Sequence, residues 1–211
     1  MGLDQNILEF MHKSFEAIRP TGFENKRILE LGNQKLRKIP RKILRDKYNK
    51  KFSTAKKYLE FLGFQHYSID INGKDGAIKI DLSEPFKDKF WINNFDIITN
   101  FGTIEHVISK KEPFYYGHWQ VWENIHNAAK KGSIFIHSLP LNNSWAKHGY
   151  VKYDLEFIEK LAKTNKYEIS LQKILKNIPK KELILICLIK KENIPFMEDK
   201  DQFLKWIHTE E

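Results

Sequence analysis

Apolar positions recur along this chain with two periods, and the switching between them lays out strands and helices. Leu3, Ile7, Leu8, Met11, Phe15 and Ile18 repeat at three- and four-residue spacing, which predicts an amphipathic helix over about 3–18, ended by Pro20-Thr21-Gly22. It is expected to pack on a sheet edge or to cover a ligand mouth. A short apolar run, Arg27-Ile28-Leu29-Glu30-Leu31-Gly32, then closes on an acid and a glycine, as a strand entering a turn does. Further strands are predicted over 65–71, 77–82, 95–100 and 133–137. Helices are predicted over 54–62, with Ser53 as N-cap and Gly63 as stop, over about 119–131, and from a cap at Asp154 to about 164. The middle helix should turn Trp122, Ile125 and Ala129 inward and end at Lys130-Lys131-Gly132, leaving His126 exposed; a long loop is expected over 139–153. Residues 167–175 and 182–190 read as a terminal strand pair joined by Asn177-Ile178-Pro179-Lys180, and 199–208 as a last helix.

The first four strands all end on polar residues: Glu30, Asp70, Asp81 and Asn100. Strands alternating with helices predict an α/β fold, and ligands of open α/β sheets sit beyond the carboxyl ends of the strands. Gly32 has no side chain, so the backbone can pass close to a ligand there. Glu30 and Asp70 stand 40 positions apart, against about twenty in a minimal nucleotide-binding unit. The excess falls on a basic segment, about 35–52, which reads as an insertion between the first strand and its helix. It should emerge at the ligand face and fold over the ligand or border its entrance.

Length and composition narrow the class. With 211 residues the chain is expected to form one domain over 1–211. It has no apolar run long enough to span a bilayer, and Asp4 and Glu9 oppose a signal peptide. Cys187, inside Leu183-Ile184-Leu185-Ile186-Cys187-Leu188-Ile189, reads as a buried strand thiol, and a single cysteine fits a cytoplasmic location. The net charge of +9 is concentrated: Lys35 to Lys57 holds eleven basic residues against Asp46, a local +10 that leaves the remainder at −1. Five arginines stand among 31 lysines, and such an excess also serves as an ordinary solvated face. Arg37, Arg41 and Arg45, spaced four apart, would share one helix face and suit phosphate oxygens.

Leu29-Glu30-Leu31-Gly32, Asp70, Asp81-Leu82 and the stretch Asn100 to Val107 together resemble the class I S-adenosylmethionine-dependent methyltransferases, over roughly 26–191. The resemblance implies a Rossmann-like, seven-stranded, doubly wound sheet, mostly parallel, with an antiparallel C-terminal hairpin strand. It implies S-adenosyl-L-methionine as cofactor, held by Glu30, Gly32, Asn33, Asp70, Ile71, Asp81, Leu82, Asn100 and Gly102. Asp70 would accept the ribose hydroxyls, Asp81 the adenine amino group, and Glu30 would fix the glycine loop or meet the amino-acid end. Ile104-Glu105-His106-Val107 looks like the branch that methylates quinones, sugars and similar small acceptors. Two departures stand out. Gly32-Asn33-Gln34 replaces the usual G-x-G, and where some quinone O-methyltransferases carry E-x-x-E-H beside a metal, the first acid here is Gly102. Only Glu105 and His106 carry over, and no metal is assigned.

Of the histidines, His106, His118, His137 and His148 fall where an acceptor should lie, on or after the fourth and fifth strands. His106 and His148, with Glu105, are the candidates for general base or substrate orienter, since neutral imidazole takes a hydroxyl proton near pH 7. They are expected to approach each other. Gly149 would let the loop bend close to a ligand, and His137 reads as a packed or hydrogen-bonded strand end. Arg37, Arg41, Arg45, Tyr116 and His118 are the candidate acceptor contacts. The activity expected is methylation of a small polar acceptor, such as a sugar or sugar-nucleotide hydroxyl. A nucleic-acid methyltransferase using the basic segment is the alternative, opposed by Asn100-Phe101-Gly102-Thr103 where base methylation uses Asn/Asp-Pro-Pro-aromatic. A nicotinamide oxidoreductase is opposed by the missing G-x-G-x-x-G, and an inactive Rossmann-like binding module is the remaining rival.

Overall fold

The computed structural model describes residues 2–17, 22–176 and 181–209. The expected helix stop at Pro20-Thr21 and the turn Asn177-Ile178-Pro179-Lys180 lie outside them. In chain order the elements are β1 (Gly2–Leu3), α1 (Gln5–Phe15), β2 (Arg27–Leu31), β3 (Lys35–Leu36), α2 (Lys38–Tyr48), α3 (Ala55–Phe61), β4 (Gln65–Ile69), β5 (Phe95–Phe101), α4 (Tyr116–Ala128) and β6 (Ala129–Pro140). They continue with β7 (Val151–Lys152), α5 (Leu155–Thr164), β8 (Tyr167–Leu175), β9 (Leu183–Lys190), α6 (Lys200–Leu204) and β10 (His208–Thr209). Aspartates cap three helices: Asp4 accepts from the Ile7 amide, Asp154 from Phe157 and Asp199 from Gln202. Thr54, not Ser53, caps α3 by accepting from Lys57. None of the described helices is long and apolar enough to cross a membrane.

Six strands form the main sheet in the order β4-β2-β5-β6-β9-β8. β4, β2, β5 and β6 run parallel, and β9 lies antiparallel to both β6 and β8. The seventh position is held by a single parallel bridge, Ile78 beside Ile69, in place of the full strand expected over 77–82. The reason is length. Only residues 70–77 separate the two partners, whereas a parallel crossover takes a dozen or more residues.

Alternation along the strands sends side chains to two cores. Leu29, Ile98 and Phe135 face one way, against Trp122 of α4, Phe157 of α5 and Phe203 of α6. Ile28, Ile97, Ile134 and Ile136 face the other, against Met11 and Phe15 of α1 and Tyr58 and Leu59 of α3. Burying one such side chain stabilises by about 1.5–3 kcal/mol, so α1 sits on the face of the sheet, where its apolar stripe is covered, and not at an edge or over a ligand mouth. Helix α4 begins and ends three residues earlier than its apolar pattern suggests. Lys130-Lys131-Gly132 instead belongs to β6, where the pairing with β5 shifts register. His126 is buried, not exposed: its ring bonds the Tyr167 hydroxyl at 2.6 Å and the Ile194 carbonyl at 2.7 Å. The last helix is short, and the chain after it forms β10, antiparallel to β7 inside the expected loop.

The basic segment leaves and rejoins the ligand end at one point, since Ala55 donates its amide to the Gln34 carbonyl at 3.2 Å. Between, β3 pairs with β1, α2 buries Pro40 and Leu44, and Phe52 meets Tyr58 at 5.3 Å between ring centres. The segment thus packs onto the α1–α3 layer.

Candidate functional site

The carboxyl ends of β2, β4 and β5 surround a cavity of about 410 Å³. Its first wall is the turn after β2. Gly32 has φ +82°, donates its amide to the Ile69 carbonyl at 2.7 Å, and lies so near Thr103 that a Cβ would stand 2.3 Å from the threonine Oγ1. Thr103 is fixed in turn, its hydroxyl donating to the Leu31 carbonyl at 2.9 Å. No residue other than glycine fits there without moving the loop after β5.

Asp70 ends β4 at the same cavity. One carboxylate oxygen accepts from the Asn33 amide at 3.3 Å and the other from Asn72 at 2.9 Å. Each oxygen offers two acceptor positions, so capacity remains on both. Asp81 lines the wall beyond. Partial burial alone would raise its pKa, but hydrogen bonds from the Ser83 hydroxyl and amide and the Lys110 ammonium at 3.0 Å prevail and hold it below the usual carboxylate range. Ile71, Leu82, Gly102 and His106 also line this cavity.

Two expected cofactor residues lie beneath the loops instead of in the cavity. Glu30 is buried; one oxygen accepts from His66 at 3.3 Å and from the Gln34 amide at 3.4 Å, and burial raises its pKa. It holds the glycine turn from below. Asn100 is also buried, and its side-chain oxygen accepts from the Thr103 and Ile104 amides, both at 3.1 Å. It caps the next turn, leaving no acceptor aimed at a ligand.

Glu105, His106 and His148 converge beside this cavity. The two imidazoles are 4.8 Å apart and nearly perpendicular, at 89°. His148 Nε2 lies 3.4 Å and His106 Nε2 3.9 Å from the same Glu105 oxygen. Burial lowers the His106 pKa, an effect that Glu105 opposes and His148 reinforces. Trp145 stacks on His148 at 3.5 Å between ring centres and 7° between planes, and Lys152 donates to the His148 carbonyl.

The remaining acceptor candidates are elsewhere. His118 is fully buried, bonded to the Tyr153 hydroxyl at 2.6 Å, with its pKa pushed down to about 3 by burial. Tyr116 donates its hydroxyl to Asp201 of α6 at 2.6 Å. His137 is buried against Trp122, and burial lowers its pKa to about 3. Arg37, Arg41 and Arg45 line a separate concavity of about 1110 Å³ with Leu36, Ile39 and Phe52, sharing no residue with the first. Arg41 donates to the Leu36 carbonyl at 2.7 Å and Arg45 pairs with Asp46 at 3.0 Å, so both serve the basic segment itself. Cys187 is buried, and burial pushes its thiol up to about 11.

Gln34, Asn72, Ile80, Thr103, Val107, Ile108 and Lys110 also line the cavity and are not among the site residues expected from the sequence. Thr103 could have been found as the residue that follows Gly102 into the turn. Lys110 has no local signal, because its partner Asp81 is brought to it by the fold.

No protein-family model and no curated protein matches this chain. Solved structures do. NodS, an N-methyltransferase of Bradyrhizobium japonicum WM9 in complex with S-adenosylhomocysteine, superposes with a TM-score of 0.60 at 11% identity, covering 89% of this chain and 87% of that one. The 1,6-didemethyltoxoflavin-N1-methyltransferase of Burkholderia thailandensis, with bound 1,6-didemethyltoxoflavin and S-adenosylhomocysteine, gives 0.59 at 11% identity, over 89% and 79%. The fold is that of the class I S-adenosylmethionine-dependent methyltransferases.

Proposed function

We propose that this protein transfers a methyl group from S-adenosyl-L-methionine to a small polar acceptor, a hydroxyl of a sugar or sugar nucleotide being the reading its residues favour. The observation that carries it is the cavity at the ends of β2, β4 and β5, with Asp70 in its wall and the Glu105–His106–His148 group at its border.

The residues fit the cofactor. Gly32 lets the turn after β2 close against Thr103 at the cavity wall, and Asp70 keeps acceptor capacity for two ribose hydroxyls. Asp81, held ionised by Ser83 and Lys110, is an acceptor for the adenine amino group. The cofactor supplies an activated methyl group on a sulfonium, a leaving group that needs little help. What the chain adds is alignment and a base. Holding the reactants together contributes most of the rate in such a transfer. His106 borders the cavity, and a depressed pKa keeps its imidazole neutral and able to take the acceptor proton.

Calorimetric titration of the purified chain with S-adenosylmethionine, S-adenosylhomocysteine and NAD tests the reading. One molar equivalent of the first two should bind, and NAD should not. Binding of NAD alone would replace this function with a redox one, and tight binding of RNA in the presence of cofactor would favour a nucleic-acid acceptor.

A further inference from the structure

We propose that Glu105, His106 and His148 form a binding site for a divalent first-row metal ion. The ion's part in turnover rests on the methyltransferase reading above; its binding does not.

Glu105 has no exposed surface, and neither of its carboxylate oxygens has a hydrogen-bond donor among the described residues. An ionised carboxylate buried without donors costs several kcal/mol unless a cation compensates it. The nearest groups are imidazoles. His148 Nε2, itself buried and without a hydrogen-bond partner among the described residues, is 3.4 Å from Glu105 Oε1 but not aligned to donate, and His106 Nε2 is 3.9 Å away. Three potential ligand atoms therefore converge, all within 4.8 Å of one another, without satisfying each other. The 3.4 Å between His148 Nε2 and Glu105 Oε1 suits neighbouring corners of a coordination shell, and His106 Nε2 must close in to complete it. Ligands about 2.0–2.2 Å from one ion stand roughly 3–3.5 Å apart.

The surroundings fix the group as a metal site requires. Trp145 holds the plane of His148 by stacking. Tyr150 donates its amide to the Glu105 carbonyl at 2.8 Å, and Gly149 comes so close that a Cβ would stand 2.9 Å from Glu105 Cγ. The loop after β6 is thereby clamped onto the turn after β5, and two ligands on different loops keep their spacing. The His106 side chain, 45% exposed, can swing the remaining distance. Two imidazoles with one carboxylate select zinc, manganese, iron or cobalt over calcium or magnesium, which favour all-oxygen shells. Three protein ligands leave coordination positions free, as catalytic metal sites do and structural ones do not. His106 also lines the cofactor cavity, so those positions border the place assigned to the acceptor; with an ion bound, His106 would ligate it in place of acting as a free base, and the ion would instead lower the pKa of the acceptor hydroxyl.

The test is calorimetric titration of chelator-stripped protein with Zn²⁺ and Co²⁺, with the Co²⁺ visible spectrum as a second readout. One ion per chain should bind, with imidazole-type d–d bands. Glu105→Gln and His148→Ala should each weaken binding by at least ~100-fold, with folding checked by circular dichroism. His148→Ala, on a partly exposed loop, covers the case where Glu105→Gln does not fold. Absence of stoichiometric binding, or wild-type affinity in folded variants, overturns the site. S-adenosylmethionine titrated into the same samples separates the two ideas: cofactor binding without metal binding defeats only the metal site, and metal binding without cofactor binding upholds it and defeats the methyltransferase reading.

Discussion

Gly149 rests directly on Glu105. With φ +76°, a Cβ at 149 would stand 2.8 Å from the Glu105 carbonyl oxygen, which already accepts the Tyr150 amide. Both the backbone conformation and the space exclude a side chain. Gly149→Ala should therefore destabilise the protein by at least about 1–3 kcal/mol, the scale of one strained backbone position, and should displace His148. Denaturant unfolding gives the first quantity, and turnover at a temperature where the variant stays folded gives the second. A variant with wild-type stability would mean that the loop does not sit on Glu105.

Gly32 and Thr103 form a second contact of this kind, and it can be dissected. Gly32→Ala should abolish measurable cofactor binding, because the new Cβ would stand 2.3 Å from the Thr103 hydroxyl oxygen. Thr103→Ala removes that atom along with its bond to the Leu31 carbonyl. In the Thr103→Ala background, Gly32→Ala should cost less than in the wild type. A coupling of about 1 kcal/mol or more in the double-mutant cycle would place the clash at this pair; additive losses would place it elsewhere.

Asp70→Ala should weaken S-adenosylmethionine binding by about 1.5–3 kcal/mol, or ~10- to ~150-fold in Kd, the scale of hydrogen bonds to a charged acceptor. The carboxylate also holds the Asn33 and Asn72 amides, so part of the loss would come from a looser turn. Asp70→Asn separates the two effects, because one amide oxygen can still accept. Unchanged affinity in both variants would remove Asp70 from the ribose.

Gly32, Asp70, Asp81 and His106 were legible in the sequence because their signals are local. Each follows an apolar strand, and a strand end in a parallel sheet points to the ligand side whatever the rest of the chain does. Glu30 and Asn100 carry the same signal and yet lie under the loops, because a buried polar group at a strand end also serves to satisfy the next turn. A place on a helix, outside the inner face of Trp122, Ile125 and Ala129, gives His126 as exposed. The fold covers that side with Tyr167 and the chain near Ile194, two partners 41 and 68 positions away that no helical periodicity can announce. The basic segment over about 35–52 stands out in the sequence by its charge. Its direction does not, since that depends on Pro40, Leu44 and Phe52 finding apolar cover on the α1–α3 layer. The approach of His148 to Glu105 depends on Gly149, which the sequence marked only as a place where the loop could bend.

Acid should unfold this protein earlier than its carboxylates alone would. His118, His126 and His137 are buried and His12 is half-buried, and burial is the first cause that lowers their pKa values, to about 3, 4, 3 and 4 respectively. Lys47 adds to the effect at His12 and Lys190 at His126. Unfolding returns each to about 6.5. Between these values the unfolded chain binds more protons than the folded one, so stability rises with pH and is lost as pH falls below about 6.5. Each histidine contributes up to about 1.4 kcal/mol per pH unit in that window. Glu30, with its pKa raised, acts in the opposite sense, but it is one group against four. Against a total stability of about 5–15 kcal/mol, the combined slope is large. Denaturant midpoints measured from pH 7.5 to 4.5 should fall steeply below 6.5. His137→Leu isolates one contribution, since neither ring nitrogen of His137 has a hydrogen-bond partner among the described residues and Trp122 and Phe135 pack against it. That variant should hold or gain stability at pH 7 and lose about one proton's share of the slope. A flat profile between pH 6.5 and 5 in the wild type, or an unchanged slope in His137→Leu, would show that these imidazoles are not buried in solution.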